Sequence, residues 1–238
     1  MGVRRIRRRG RQGRVKRRKK RKSAPVVAGK MIRLYEYLKA DGSFDLEAYR
    51  RVQIAGNHRK LQHQWATEDQ ISMLAQHIVQ RIGAPRAGLC HGTRRGAEQA
   101  WFRKYLRDCE VIGTEISDTA TRFPHTIQWD FHDVKDEWLD AMDFIFSNAF
   151  DHTYAPEQCL NAWMSCVRSG GLCILEHSDY HEAAAVCELD PFGASLLHMP
   201  YLIALWGKSR YAVREILTAP RRSHRNHTMT HFLLIHKW

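Results

Sequence analysis

The chain has 238 residues, enough for one α/β domain with a sizeable core. Its formal charge of +13 is concentrated in residues 1–30, which hold 15 of the 38 Lys+Arg and none of the 25 Asp+Glu, so the rest is nearly neutral and lacks the basic stripe of a nucleic-acid-binding core. No run approaches the roughly 20 apolar residues of a membrane span, no apolar stretch follows the N-terminal charges as a secretory signal would require, and six cysteines without a C-x-x-C pair fit a reduced, cytoplasmic protein.

Arg4–Lys22 carries many like charges and almost nothing to bury, so residues 1–30 are expected to be a disordered basic arm. It reads as a solvated tail, a targeting signal, or a tether to nucleic acid through its phosphates. From Met31 the composition turns globular, and residues 31–85 are expected to form a helical N-terminal cap with a turn at Ala40-Asp41-Gly42. Within it, Thr67 and Gln70 form a capping-box pair, Ile71, Leu74, Ile78 and Ile82 recur at helical spacing, and Gly83 and Pro85 end the run. This predicts a helix over Glu68–Ile82.

Beyond it, residues 86–238 alternate short apolar runs with helical stretches. Strands are expected at Ala87–Cys90, Glu110–Thr114, Thr126–Phe131, Asp143–Ser147 and Leu172–Leu175, and helices at Ala97–Arg107 and Pro156–Arg168, the latter ended by Gly170-Gly171. Strands separated by helices imply a doubly wound, mostly parallel Rossmann-like α/β sheet. Ser195–Trp206 is too short to span a membrane and reads as a buried element or a lid. Tyr211–Thr218 and Met229–Ile235 read as an antiparallel pair closing the sheet edge. In the loop between them, Arg221, Arg222 and Arg225 are solvated or contact an anion, and His224 and His227 lack a partner ligand at metal spacing. Cys159, Cys166 and Cys173 fall on a helix and a strand, as small buried residues would, and no metal site is expected. Trp163, Met164 and Val167 read as core.

The chemistry concentrates at GLCHGTRRGAEQAWF, a strand running through Gly92 and Gly96 into a helix. Ligands of doubly wound sheets bind at the carboxyl ends of strands, where glycine admits close approach to the backbone. Glu115 ends the next strand, 23 residues after Gly92, about the interval at which a carboxylate accepts from ribose hydroxyls. The loop lacks the central glycine of a dinucleotide site and the Gly-Lys-Ser/Thr of a phosphate loop. A ligand with a ribose and no phosphates needs neither, and S-adenosylmethionine is such a ligand. His152 beside Asp151 in NAFDHTY is the favoured base, because a neutral imidazole takes protons near neutral pH. That loop also reads as a substrate contact. Glu176 and His177 end the following strand and point toward the same crevice.

GLCHGTRRGAE, GTEIS, WDFHDV, DFIFSNAFDHTY and CVRSGGLCILEH follow the motif order of class I S-adenosylmethionine-dependent methyltransferases. Ala87–Trp238 resembles a bacterial group of that family with a CHGTR-x-G-x-E first motif. The resemblance implies that Gly92 and Gly96 form the cofactor loop with His91 beside it, that Glu115 holds the ribose diol, that Asp130 faces the adenine amine, and that Asn148 borders the methyl-transfer site. The acidic residue common at the start of the loop is replaced here by Cys90 and His91, and Glu98 is expected to supply part of that contact. With SNAF where base-amine methylases carry Asn-Pro-Pro-aromatic, the expected acceptor is a small molecule or a saccharide. A nucleic-acid acceptor tethered by the arm, and a cofactor-binding protein without turnover, are the alternatives; a nicotinamide-dependent enzyme would need the glycine that the loop lacks.

Overall fold

The computed structural model describes residues 31–219 and 229–238, with the backbone of Val26–Ala28. The arm before Val26 and the loop residues Arg221, Arg222, His224, Arg225 and His227 lie outside the described residues. Strands β1 (Val26–Ala28) and β2 (Ile32–Tyr35) lead into helices α1 (Leu46–Lys60) and α2 (Glu68–Ile82). The main unit follows as β3 (Ala87–His91), α3 (Ala97–Tyr105), β4 (Glu110–Glu115), β5 (Thr126–Gln128), β6 (Met142–Ser147), α4 (Pro156–Cys166), β7 (Val167–His177), β8 (Phe192–Ala194), α5 (Met199–Gly207), β9 (Tyr211–Thr218) and β10 (His231–Lys237).

Seven strands form one sheet in the order β5-β4-β3-β6-β7-β10-β9. The first five are parallel, and β10 and β9 close the edge antiparallel, with Tyr211 opposite Lys237 and Thr218 opposite His231. Alternation at period two gives each strand two apolar faces. Phe144, Phe146, Ile174 and Phe232 bury one face against Ile71, Leu74 and Ile78 of α2 and Phe102 of α3. Ile145, Cys173, Leu175 and Leu233 bury the other against Leu160, Trp163 and Met164 of α4 and Ile203 of α5. Helices on both faces explain why the central strands are apolar throughout.

The capping box at α2 is formed: the Thr67 amide donates to Gln70 Oε1 (2.9 Å) and the Gln70 amide to Thr67 Oγ1 (3.3 Å). The helical segment read over residues 31–85 also contains β2, which pairs with β8 as the centre of a small antiparallel sheet, and α2 is a layer helix of the main sheet. The backbone of β1, inside the stretch read as arm, pairs with β2.

Two boundaries differ from the sequence reading for a physical reason. The strand read as Thr126–Phe131 ends at Gln128, because the backbone then turns to place Asp130 and Phe131 in the cleft described below. Gly170-Gly171 lies inside the long β7, which begins at Val167 directly after α4. A Cβ at Gly171 would lie 2.7 Å from the Asp143 carbonyl oxygen, so the pair marks a close crossing of β6, where the ladder shifts register between Met142 and Phe144. The segment around α5 is a buried element, with Met199, Leu202, Ile203 and Trp206 in the core. All six cysteines are free, and only Cys187 is exposed. Among the described residues no helix is long and apolar enough to cross a membrane.

Candidate functional site

The chain runs β3, β4, β5 to one side of the sheet and then returns to β6 and β7 on the other, so the order reverses between β3 and β6. Such a reversal leaves a crevice at the carboxyl ends of the strands. A cleft lies there, with about 1080 Å³ of empty space that includes the open solvent at its mouth.

Gly92 follows β3 with φ +72°, and its amide and that of Thr93 both donate to Thr114 O of β4 (2.9 and 3.1 Å). A Cβ at Gly92 would stand 2.5 Å from Ala149 Cβ, so glycine is required where the first loop passes the end of β6. Glu115, 6 % exposed, accepts from the Ser117 amide at Oε1 (3.0 Å) and the Arg94 amide at Oε2 (3.2 Å). Burial still pushes its carboxyl up, against those bonds and the Arg94 charge. Glu98 Oε1 accepts from Gln64 (2.7 Å) and from Asn148 Nδ2 (3.4 Å), while its buried Oε2 has no partner among the described residues. Burial pushes this carboxyl up as well. Asp130 differs: burial opposes its charge, but the ring and amide of His132 donate to Oδ1 (2.8 and 3.2 Å) and hold the carboxyl below its ordinary range, with Arg50 at 3.5 Å from Oδ2.

On the far side of Asn148 a single turn of 3₁₀ helix carries Asp151 and His152. Asp151 is buried, its Oδ1 has no hydrogen-bond partner among the described residues, and burial, aided by the Asp190 charge, pushes the carboxyl up to about 6. His152 Nδ1 meets Gln53 Oε1 at 2.8 Å, and Nε2 faces Asp190 Oδ1 at 3.6 Å and Asp151 Oδ1 at 4.0 Å.

Of the residues singled out from sequence, Gly92, Glu98, Glu115, Asp130, Asn148, Asp151 and His152 all line this one cleft. His91 and Gly96 are not among its lining residues. His91 is buried against the Trp163 ring (centroids 4.5 Å apart) with Nδ1 on Thr114 Oγ1 (2.8 Å), and burial followed by the neighbouring His132 pushes it down to about 3. Gly96 is the left-handed N-cap of α3, where a Cβ would meet Gln99 and Thr126. Glu176 and His177 also stand outside the lining. Glu176 accepts from the indole of Trp65, a lining residue, and His177 donates to Ala194 O (2.8 Å).

Sequence reasoning missed the contribution of α1. Tyr49, Gln53, Gly56 and Asn57 are its buried face and line the cleft with Lys60. The signal was present: Gln53 and Asn57 occupy the helical positions at which a core helix carries apolar side chains. It also missed Asp190, on the loop before β8. That loop is tied to α1 by Gln53 Nε2 donating to Leu189 O (2.9 Å), and by the Tyr37 hydroxyl, on the stretch leading into α1, donating to Glu188 O.

No protein-family model matches the chain, and no curated protein matches it in sequence. Among solved structures it is similar to the Burkholderia thailandensis 1,6-didemethyltoxoflavin-N1-methyltransferase with bound 1,6-didemethyltoxoflavin and S-adenosylhomocysteine, with a TM-score of 0.63 and 11 % identity over 87 % of this chain and 95 % of that one. A plantazolicin methyltransferase, BpumL, in complex with a triazolic desmethylPZN analogue and S-adenosylhomocysteine gives 0.61 at 12 % identity, over 81 % and 96 %. The [4+2]-cyclase SpnF gives 0.57 at 9 % identity, over 86 % and 98 %. These likenesses show a shared Rossmann-like fold, which by itself does not fix a reaction.

Proposed function

We propose that the chain binds S-adenosylmethionine in this cleft and transfers its methyl group to a small molecule or a saccharide in the cytoplasm. The carrying observation is that Gly92, Glu115 and Asn148, at the ends of three adjacent parallel strands, converge on one cleft that also holds the unpartnered Glu98 Oε2. The residues present fit the cofactor. The Ser117 and Arg94 amides and the Asn57 side chain use part of the acceptor capacity of Glu115, and what is left is offered to a ribose hydroxyl. Asp130 Oδ2 is available to the adenine amine, and Glu98 Oε2 to the ammonium of the methionine part. Five carboxylates, Glu98, Glu115, Asp130, Asp151 and Asp190, line the cleft against the two cations Lys60 and Arg94, a balance that favours a cationic, hydroxyl-rich ligand.

When bound, the cofactor supplies a methyl group on a sulfonium. The protein's task is to align the acceptor and exclude water. Asp151 and His152 border the acceptor side, and Trp65, Tyr180 and the buried face of α1 wall it. Two of the compared structures hold S-adenosylhomocysteine, which supports the cofactor. The likeness to a [4+2]-cyclase favours, as a second reading, a protein that uses the fold without methyl transfer.

The test is calorimetric titration of S-adenosylmethionine and S-adenosylhomocysteine into the full chain, beside Glu115→Ala and a nicotinamide dinucleotide. Saturable binding of the first two, weakened by about 1–3 kcal/mol in the variant through unpaired polar groups, supports the pocket. A folded sample that binds neither overturns the reading. Release of S-adenosylhomocysteine over a panel of hydroxylated and amino acceptors then separates an enzyme from a binder.

A further inference from the structure

We propose that Asp151, His152 and Asp190 form a binding site for one divalent transition-metal ion. Gln53 Nε2 donates to Leu189 O, so its Oε1 is turned to His152 Nδ1, and Nδ1 carries the hydrogen. The remaining nitrogen, Nε2, is thereby left to present its lone pair to two carboxylate oxygens, Asp190 Oδ1 at 3.6 Å and Asp151 Oδ1 at 4.0 Å. One ligand atom from each of the three residues lies within 4.8 Å of the others. These separations are too long for direct hydrogen bonds. They compare with what ligands about 2.1 Å from a common ion give, about 3.0 Å for neighbours and about 4.2 Å for opposed pairs.

A second observation points to the same space. Asp151 is 8 % exposed and its Oδ1 has no hydrogen-bond partner among the described residues. Burying such an oxygen without compensation is costly. The cations nearby do not bond to it: Lys60 acts on Asp151 through its charge but forms no ion pair with Asp151 or Asp190 among the described residues, and His181 Nε2 stops 3.9 Å from Asp151 Oδ1. A imidazole nitrogen with two carboxylates is a donor set for Mn²⁺, Fe²⁺ or Zn²⁺ rather than for Ca²⁺. The Gln53 bond is the outer contact that orients a metal-binding imidazole. The site also opens to the cleft, so further coordination positions are accessible to a ligand. An ammonium group would satisfy the same three acceptors, but two carboxylates would hold it protonated and suppress it as a nucleophile. A metal-bound hydroxyl is made more acidic instead. This last role rests on the methyltransferase reading; the binding of the ion does not.

The experiment uses the full chain without S-adenosylmethionine. Mn²⁺ is titrated and followed by electron paramagnetic resonance, with Zn²⁺ as competitor, for the natural protein, Asp151→Asn, Asp190→Asn and the distant control Glu137→Gln, each checked for folding by circular dichroism. The expected result is one saturable Mn²⁺ displaced by Zn²⁺, with affinity at least tenfold weaker in both Asp variants and unchanged in the control. A folded chain with no saturable Mn²⁺, or Mn²⁺ binding that both Asp variants leave intact, overturns the proposal. Because the cofactor titration is separate, a chain that takes Mn²⁺ but no S-adenosylmethionine keeps this site and loses the methyltransferase reading; the reverse loses only this site.

Discussion

Asp143, where the parallel strands begin, and three buried carboxylates near their other end are treated in opposite ways. At the end where the strands begin, Asp143 Oδ2 accepts from the Arg86 and Ala87 amides (2.7 and 2.9 Å) and Oδ1 from Arg168 Nε (2.6 Å). Burial opposes its charge, but these donors outweigh it and hold the carboxyl below its ordinary range. At the carboxyl end, Glu98, Asp151 and Glu176 each keep one oxygen without a partner, and burial pushes all three upward. The first arrangement staples β3, β6 and β7 together. The second leaves acceptors that no described residue uses, and two of the three, on Glu98 and Asp151, line the cleft, as a ligand site would require.

The largest effect that would break this comparison is at Glu176, whose carboxyl is raised from 4.5 to about 8 by burial, then by the charges of Glu98 and Asp151, against the Trp65 bond. Between those values the folded state binds more protons than the unfolded one, so this group's contribution to stability falls as pH rises from about 4.5 to 8. Denaturant unfolding at pH 5 and pH 8 is expected to show a loss of stability that Glu176→Gln reduces, the remainder coming from Asp151 and Glu98. Equal losses in both proteins would put Glu176 in the same class as Asp143.

Asp143→Ala comes next. It leaves two backbone amides and Arg168 without their acceptor, and a loss of about 2–4 kcal/mol is expected in denaturant unfolding at pH 7. Cofactor affinity is expected to stay unchanged. The sign with pH is opposite to that of Glu176: a depressed carboxyl stabilises above the unfolded value, and the difference from the natural chain should shrink as pH falls through the folded one.

Gly92→Ala tests the ligand end directly. A non-glycine residue at φ +72° with its Cβ 2.5 Å from Ala149 is expected to cost about 1–3 kcal/mol. Titration of S-adenosylmethionine should show weakened binding beyond that change in Tm. The smallest effect is Thr67→Ala, which removes the α2 cap on the helix layer. About 1 kcal/mol is expected from thermal unfolding, with cofactor binding untouched; a loss of binding there would show that the two regions are energetically linked.

Much of the fold was legible because its signals are local. The capping box and the spacing of Ile71, Leu74 and Ile78 set α2 to the residue, and Tyr211–Thr218 ended where its alternation ended. Gly170-Gly171 misled because a glycine pair after a helix looks like a helix stop, whereas its cause is the close approach of the Asp143 backbone, a neighbour distant in sequence. In the site, Gly92 and Glu115 were legible because a strand end and the next strand end lie a nearly constant interval apart. His91 and Gly96 share the same motif but turn into the core and toward β5.

By itself, then, the sequence determined what depends on period and on neighbours along the chain: parallel strands with helices on both faces, an antiparallel closing pair, and glycines and a carboxylate at the ends of successive strands. Tertiary structure alone decided what depends on contacts between remote segments. It brought Gln53 of α1 to His152 and Leu189, set Asp190 opposite Asp151, and left the Glu98 and Asp151 oxygens buried without partners. A residue's type is written in the chain, but whether its charge is satisfied is a property of the space around it.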